Sequence, residues 1–72
     1  MLPPDRLTPA ELRERRKALS LSQGEGARRA GVNLRTWQRW EAEELDIPLW
    51  MDLFLKGMEY EAGIRTAPAR RP

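Results

Sequence analysis

Apolar positions along this chain fall in helical clusters, and capping residues introduce them. Thr8-Pro9-Ala10-Glu11 is a capping box with proline at the first helical position, which predicts a helix running to about Leu19. Ser22-Gln23-Gly24-Glu25 repeats the pattern. It opens a short second helix, Gln23 to Ala30, closed by Gly31 in the left-handed conformation that glycine adopts without strain. Asn33 caps a third helix from Leu34 to about Ala42, and Pro48 opens a fourth that runs to about Gly63. No stretch alternates apolar and polar residues with β-branched enrichment, so no strand is expected. The pattern is that of a small all-α domain.

Two helical faces add detail. On the third helix, Trp37 and Trp40 fall on one side and face a core, while Leu34, Arg35, Gln38 and Arg39 fall toward the other. The fourth helix is apolar over well over half its circumference, with Asp52, Lys56 and Glu59 as a narrow polar strip. One core-facing stripe needs only about 100° or somewhat more. The surplus is assigned to Met51, Leu55 and Met58, at i, i+4 and i+7, as a contact surface for a second copy. Burial under the C-terminal tail is the competing explanation.

Composition narrows the chemistry. The chain has 72 residues, no Cys and no His. That length allows one domain held together by packing. Disulfide frameworks, thiolate nucleophiles, zinc-finger ligation and histidine acid–base relays are excluded. No carboxylate pair, phosphate-cradling loop or nucleophile–base set appears, so no catalytic residue, metal or cofactor is assigned and an enzyme is not expected. No apolar run is long enough for a membrane span and no signal-like segment begins the chain, which makes the cytoplasm the expected location. Residues 1–6 and 64–72 read as flexible ends around a domain spanning 7–63, the second of them basic through Arg65, Arg70 and Arg71.

The net charge of +2 hides a strong asymmetry. Residues 1–40 carry +5, residues 41–64 carry −6 and residues 65–72 carry +3. A basic front half suits a polyanionic partner. Arg13, Arg15, Lys17, Arg28 and Arg29 supply most of the basic charge outside the third helix, and solvation is the default expectation for them.

The second and third helices, joined by Gly31-Val32-Asn33, have the spacing of a helix-turn-helix. Leu19-Ser20-Leu21-Ser22-Gln23, Ala27-Arg28-Arg29-Ala30-Gly31-Val32-Asn33 and Arg35-Thr36-Trp37-Gln38-Arg39-Trp40-Glu41 together resemble the Cro/C1-type (XRE-like) helix-turn-helix proteins, over roughly Leu7 to Phe54. The resemblance implies a lambda-repressor-like bundle of four to five helices. It also implies a dimer on a palindromic operator, acting as a phage or bacterial transcriptional regulator, most often a repressor. It places Ser22 and Gln23 near the phosphate backbone, and base-reading positions at Leu34, Arg35 and Arg39 with Asn33, Thr36 and Gln38 beside them. It further implies a partly buried structural ion pair between Arg16 and Glu41. An exposed Arg16 within the basic cluster is the alternative.

Two departures stand out. Gly26 and Trp37 occupy positions where such proteins carry a large aliphatic and a Val or Ile, so the indole is expected to fill the space vacated at Gly26. The loop Ala42-Glu43-Glu44-Leu45-Asp46 is acidic where basic residues are usual, and acids beside phosphates repel. That loop and the apolar fourth helix motivate a second functional reading, a protein-interaction module of antitoxin-like or phage accessory type with weak or no DNA binding.

Overall fold

The computed structural model describes residues 7–64; the expected flexible ends, Arg65, Arg70 and Arg71 included, lie outside the described residues. Four helices follow one another: α1 (Pro9–Ala18), α2 (Gln23–Ala30), α3 (Leu34–Glu41) and α4 (Trp50–Glu61). There is no strand among the described residues. No helix is long and apolar enough to cross a membrane.

Both capping boxes form. The Glu11 backbone N–H donates to Thr8 Oγ1 and the Thr8 N–H to Glu11 Oε1, at 3.1 and 3.0 Å. Ser22 and Glu25 repeat the exchange at 3.1 and 2.9 Å. The Ser22 N–H is the main reason that the Glu25 carboxyl titrates below its ordinary value. Asn33 Oδ1 accepts the Thr36 N–H at 2.8 Å. α4 starts two residues later than Pro48, without a side-chain cap, because Pro48 forms a turn whose carbonyl accepts the Met51 N–H at 3.1 Å.

All four helices end in the same way. The residue after each last turn is left-handed: Ser20 (φ 60°), Gly31 (φ 78°), Glu43 (φ 64°) and Gly63 (φ 79°). The next N–H then reaches back five residues, as in Leu21→Arg16 (3.2 Å), Val32→Ala27 (3.0 Å), Glu44→Arg39 (2.9 Å) and Ile64→Glu59 (3.0 Å). This is the Schellman closure, which satisfies carbonyls a helix end leaves open. Glycine takes the left-handed site without cost, whereas serine and glutamate there are strained.

The core gathers Leu12, Ala27, Trp37, Trp40, Ile47, Met51, Leu55 and Met58, with Leu7 at its edge. Trp37 fits against Gly26 so closely that a Cβ there would lie 2.9 Å from the indole ring. The indole thus occupies the place of the missing side chain, as its size suggested.

α4 corrects one expectation. Met51 and Leu55 are fully buried and Met58 is buried, so these three are core residues and not a surface for a second copy. The exposed apolar residues of this segment are Leu49 (61 %), Trp50 (47 %), Leu53 (72 %) and Tyr60. The helix is turned about its axis relative to the expected orientation, and Arg15 of α1 is the reason. Its guanidinium donates to both Glu59 oxygens at 2.8 Å and to Asp52 Oδ1 at 2.6 Å. Lys56 completes the group at 3.0 Å from Asp52. The supposed wet strip therefore packs against α1, and Arg15 is an internal clamp instead of a solvated cation. Hydrogen bonding to Glu59 and Asp52 outweighs burial and drives the Arg15 pKa further up; Arg15 in turn pulls Asp52 below its ordinary value.

Candidate nucleic-acid interface

The interface is built outward from a buried carboxylate. Glu41, at the end of α3, accepts from Arg16 Nε at 2.7 Å, Arg16 Nη2 at 3.1 Å, Trp37 Nε1 at 2.7 Å and Gln23 Nε2 at 3.0 Å. Arg13 donates to the Glu41 backbone carbonyl at 3.0 Å, and Arg16 Nη1 donates to the Leu21 carbonyl at 2.9 Å. One side chain thereby joins α1, α2 and α3. Burial pushes the Glu41 carboxyl up, but the bonds from Arg16, Trp37 and Gln23 prevail and hold it below the ordinary glutamate value. The Arg16–Glu41 pair is buried as the resemblance implied.

With Trp37, Trp40 and Glu41 turned inward, the opposite face of α3 is presented to solvent. Leu34, Arg35, Gln38 and Arg39 are exposed, and Thr36 is half-buried. Arg35, Gln38 and Arg39 line one open groove together with Ala42 and Glu44. Gln23, at the first position of α2, bridges the buried and open sides. Its amide nitrogen is committed to Glu41, so its oxygen faces Gln38, whose Nε2 lies 3.5 Å away. Ser22 and Asn33 stand at the exposed starts of α2 and α3, with their side-chain oxygens engaged as caps.

The structure thus brings Arg35, Gln38 and Arg39 together and links Gln23 to them, while Leu34 and Thr36 lie along the same short helix. It also adds a residue not assigned to the set. Glu44 Oε1 lies 3.8 Å from Arg39 Nε, with both side chains about half-exposed. One carboxylate of the acidic loop therefore lines the groove. The Schellman closure at Glu43 brings Arg39 and Glu44 together, and no residue type in the loop signalled that closure.

Neither a protein-family model, nor a curated protein, nor a solved structure matches this chain.

Proposed function

We propose that the protein is a sequence-specific double-stranded DNA-binding transcriptional regulator, a repressor that acts as a homodimer on a palindromic operator. The observation that carries this reading is the outward face of α3, where Arg35, Gln38 and Arg39 share one open groove while the inward face is locked to α1 and α2 through Glu41. In this reading α2, turn and α3 are a helix-turn-helix. α3 enters the major groove, and the start of α2 meets phosphate near Ser22 and Gln23. Arginine matches the two acceptors of guanine, and glutamine matches the donor and acceptor of adenine. Leu34 meets a thymine methyl.

The dimer uses the outer face of α4. Leu53 projects beside a groove lined by Phe54, Gly57 and Met58, which also carries Arg29 and Glu61. A two-fold contact lets Leu53 of each copy enter the other's groove and pairs Arg29 with Glu61 crosswise, and such symmetry matches a palindromic operator.

Selection of bound sequences from a pool of random duplexes at low salt tests the regulator. Enrichment of a half-site motif is expected, with base preference lost at one pair in Arg35→Ala and at another in Arg39→Ala. Absence of any enriched motif with these proteins and with Glu44→Gln would reject it.

A second reading rests on Leu49, Trp50 and Leu53, which stand exposed beside an acidic loop. It makes the domain an interaction module for another protein, of antitoxin-like or phage accessory type. A motif-free duplex selection together with an unchanged apolar face of α4 in a stable monomer would favour it.

A further inference from the structure

The loop after α3 breaks two local rules. Glu43 occupies a left-handed position that glycine adopts freely and glutamate does not. Glu43 and Glu44 also place negative charge at the C-terminal end of α3, where the helix dipole is already negative. The helix closure accounts for the left-handed backbone, but the exposed ion pair between Glu44 and Arg39 contributes little to folding, so stability does not account for the acidic side chains at this position. Departures of this kind concentrate at functional sites.

The geometry shows what the strained turn achieves. The left-handed Glu43 lets the Glu44 N–H bond to the Arg39 carbonyl at 2.9 Å, which turns the Glu44 side chain back into the groove that Arg39 lines. Its carboxylate then sits 3.8 Å from Nε, the inner nitrogen of the guanidinium. The outer edge of that group, with its two terminal amino groups, is the edge that can donate twice to guanine N7 and O6.

We propose that Glu44 is a selectivity residue that acts on Arg39, an inference that rests on the DNA-binding reading above. The Glu44 carboxylate lies on the Nε side of the guanidinium, leaves its outer edge open to a guanine, and competes with phosphate oxygens for the same cation. A phosphate at Arg39 meets repulsion from the neighbouring carboxylate, whereas a guanine accepts from the outer edge while Glu44 stays in place. Random duplex is therefore disfavoured more than cognate duplex, since a repulsive element against the wrong partner raises specificity. The acidic loop limits indiscriminate binding by a basic surface and is compatible with operator recognition.

The test compares wild type, Glu44→Gln, Glu44→Ala and Arg39→Ala, each alone and with Arg39→Ala combined with Glu44→Gln, on random-sequence duplex and on the wild-type selected duplex. Glu44→Gln is expected to bind random duplex several-fold more tightly and to steepen its salt dependence by about one phosphate contact, a slope change near 0.9. It removes the competing charge alone and so keeps the guanine preference. Glu44→Ala, which removes the same charge, gains the same affinity. In the Arg39→Ala background the gain shrinks, which marks Arg39 as the route. Circular dichroism of Glu44→Gln matching wild type separates these effects from misfolding. An affinity for random duplex within twofold of wild type overturns the proposal, as does a gain undiminished without Arg39. If none of the proteins, Glu44→Gln included, binds duplex at low salt, the DNA-binding reading itself has failed.

Discussion

At the scale of single residues, Glu41 and Gly26 carry most of the weight. A carboxylate buried to this degree is tolerable because donors surround it, and removal of one partner of a buried pair costs about 3–5 kcal/mol. Its titration has a defined sign. Glu41 and Asp52 both titrate below their ordinary values in the folded protein, so their stabilisation is complete above the unfolded carboxylate range, about pH 4–4.5. It is lost as the pH falls through the lower, folded values. With no histidine in the chain, urea midpoints are expected to be level from pH 6 to 8 and to decline below about pH 4.5. A decline centred near pH 6 would contradict this assignment. Two glycines of α2 make a sharp contrast. A Cβ at Gly24 meets only Ser22 Oγ at 3.9 Å, so Gly24→Ala is expected to stabilise by roughly 0.5–1 kcal/mol. At Gly26 the same methyl strikes a fully buried indole fixed by its bond to Glu41, and Gly26→Ala is expected to destabilise by about 1–3 kcal/mol. Thermal melts of both variants check the pair of signs.

At the scale of elements, the helix starts were legible and the helix ends only half so. Thr8, Ser22 and Asn33 announce their caps through residue types that rarely serve otherwise before an apolar cluster. Gly31 announces its closure as well. Ser20 and Glu43 carry no such signal, because nothing in a serine or glutamate marks the left-handed position that the following element imposes. Replacing Glu43 by glycine is expected to stabilise by about 1 kcal/mol by relieving that conformation, measured as a shift in urea midpoint. For α4 the sequence correctly indicates a broad apolar arc, but the width of an arc leaves open which part of it faces inward. That phase is set by Arg15, a contact 37 and 44 residues away from its two acids. Asp52 and Glu59 lie seven residues apart on one face with a single guanidinium reaching both, a spacing that reads as an internal clamp only once α1 is placed beside α4. Arg15→Met is expected to cost about 3 kcal/mol, because the buried Glu59 would lose its bidentate partner.

At the scale of the whole molecule, the charge asymmetry and the two exposed faces belong together. In the proposed reading the groove of α3 is offered to a polyanion, and the outer face of α4 is offered to a second copy. The solvent-facing side of α3 was legible in the sequence, whereas the exposed apolar residues of the α4 segment are Leu49, Trp50 and Leu53 in place of the buried Met51, Leu55 and Met58. Sedimentation equilibrium is expected to give a dimer for wild type and a monomer for Leu53→Glu, with helicity unchanged because Leu53 lies outside the core. A monomeric wild type at high concentration would remove the dimer.

The aromatic residues give the molecule a built-in gauge. Trp37, Trp40, Trp50 and Phe54 form a series with ring centroids 5.8, 6.3 and 6.3 Å apart, two of the three contacts edge-on. All three tryptophans of the chain belong to it, and the series crosses from α3 to α4 between Trp40 and Trp50. Trp40 and Trp50 meet edge-on in an asymmetric environment, so near-ultraviolet circular dichroism carries a contribution from the α3–α4 junction. Loosening of α4 alone would remove that contribution and keep the one from the Trp37–Trp40 contact within α3. The protein therefore distinguishes detachment of its last helix from unfolding of the rest, with no label added.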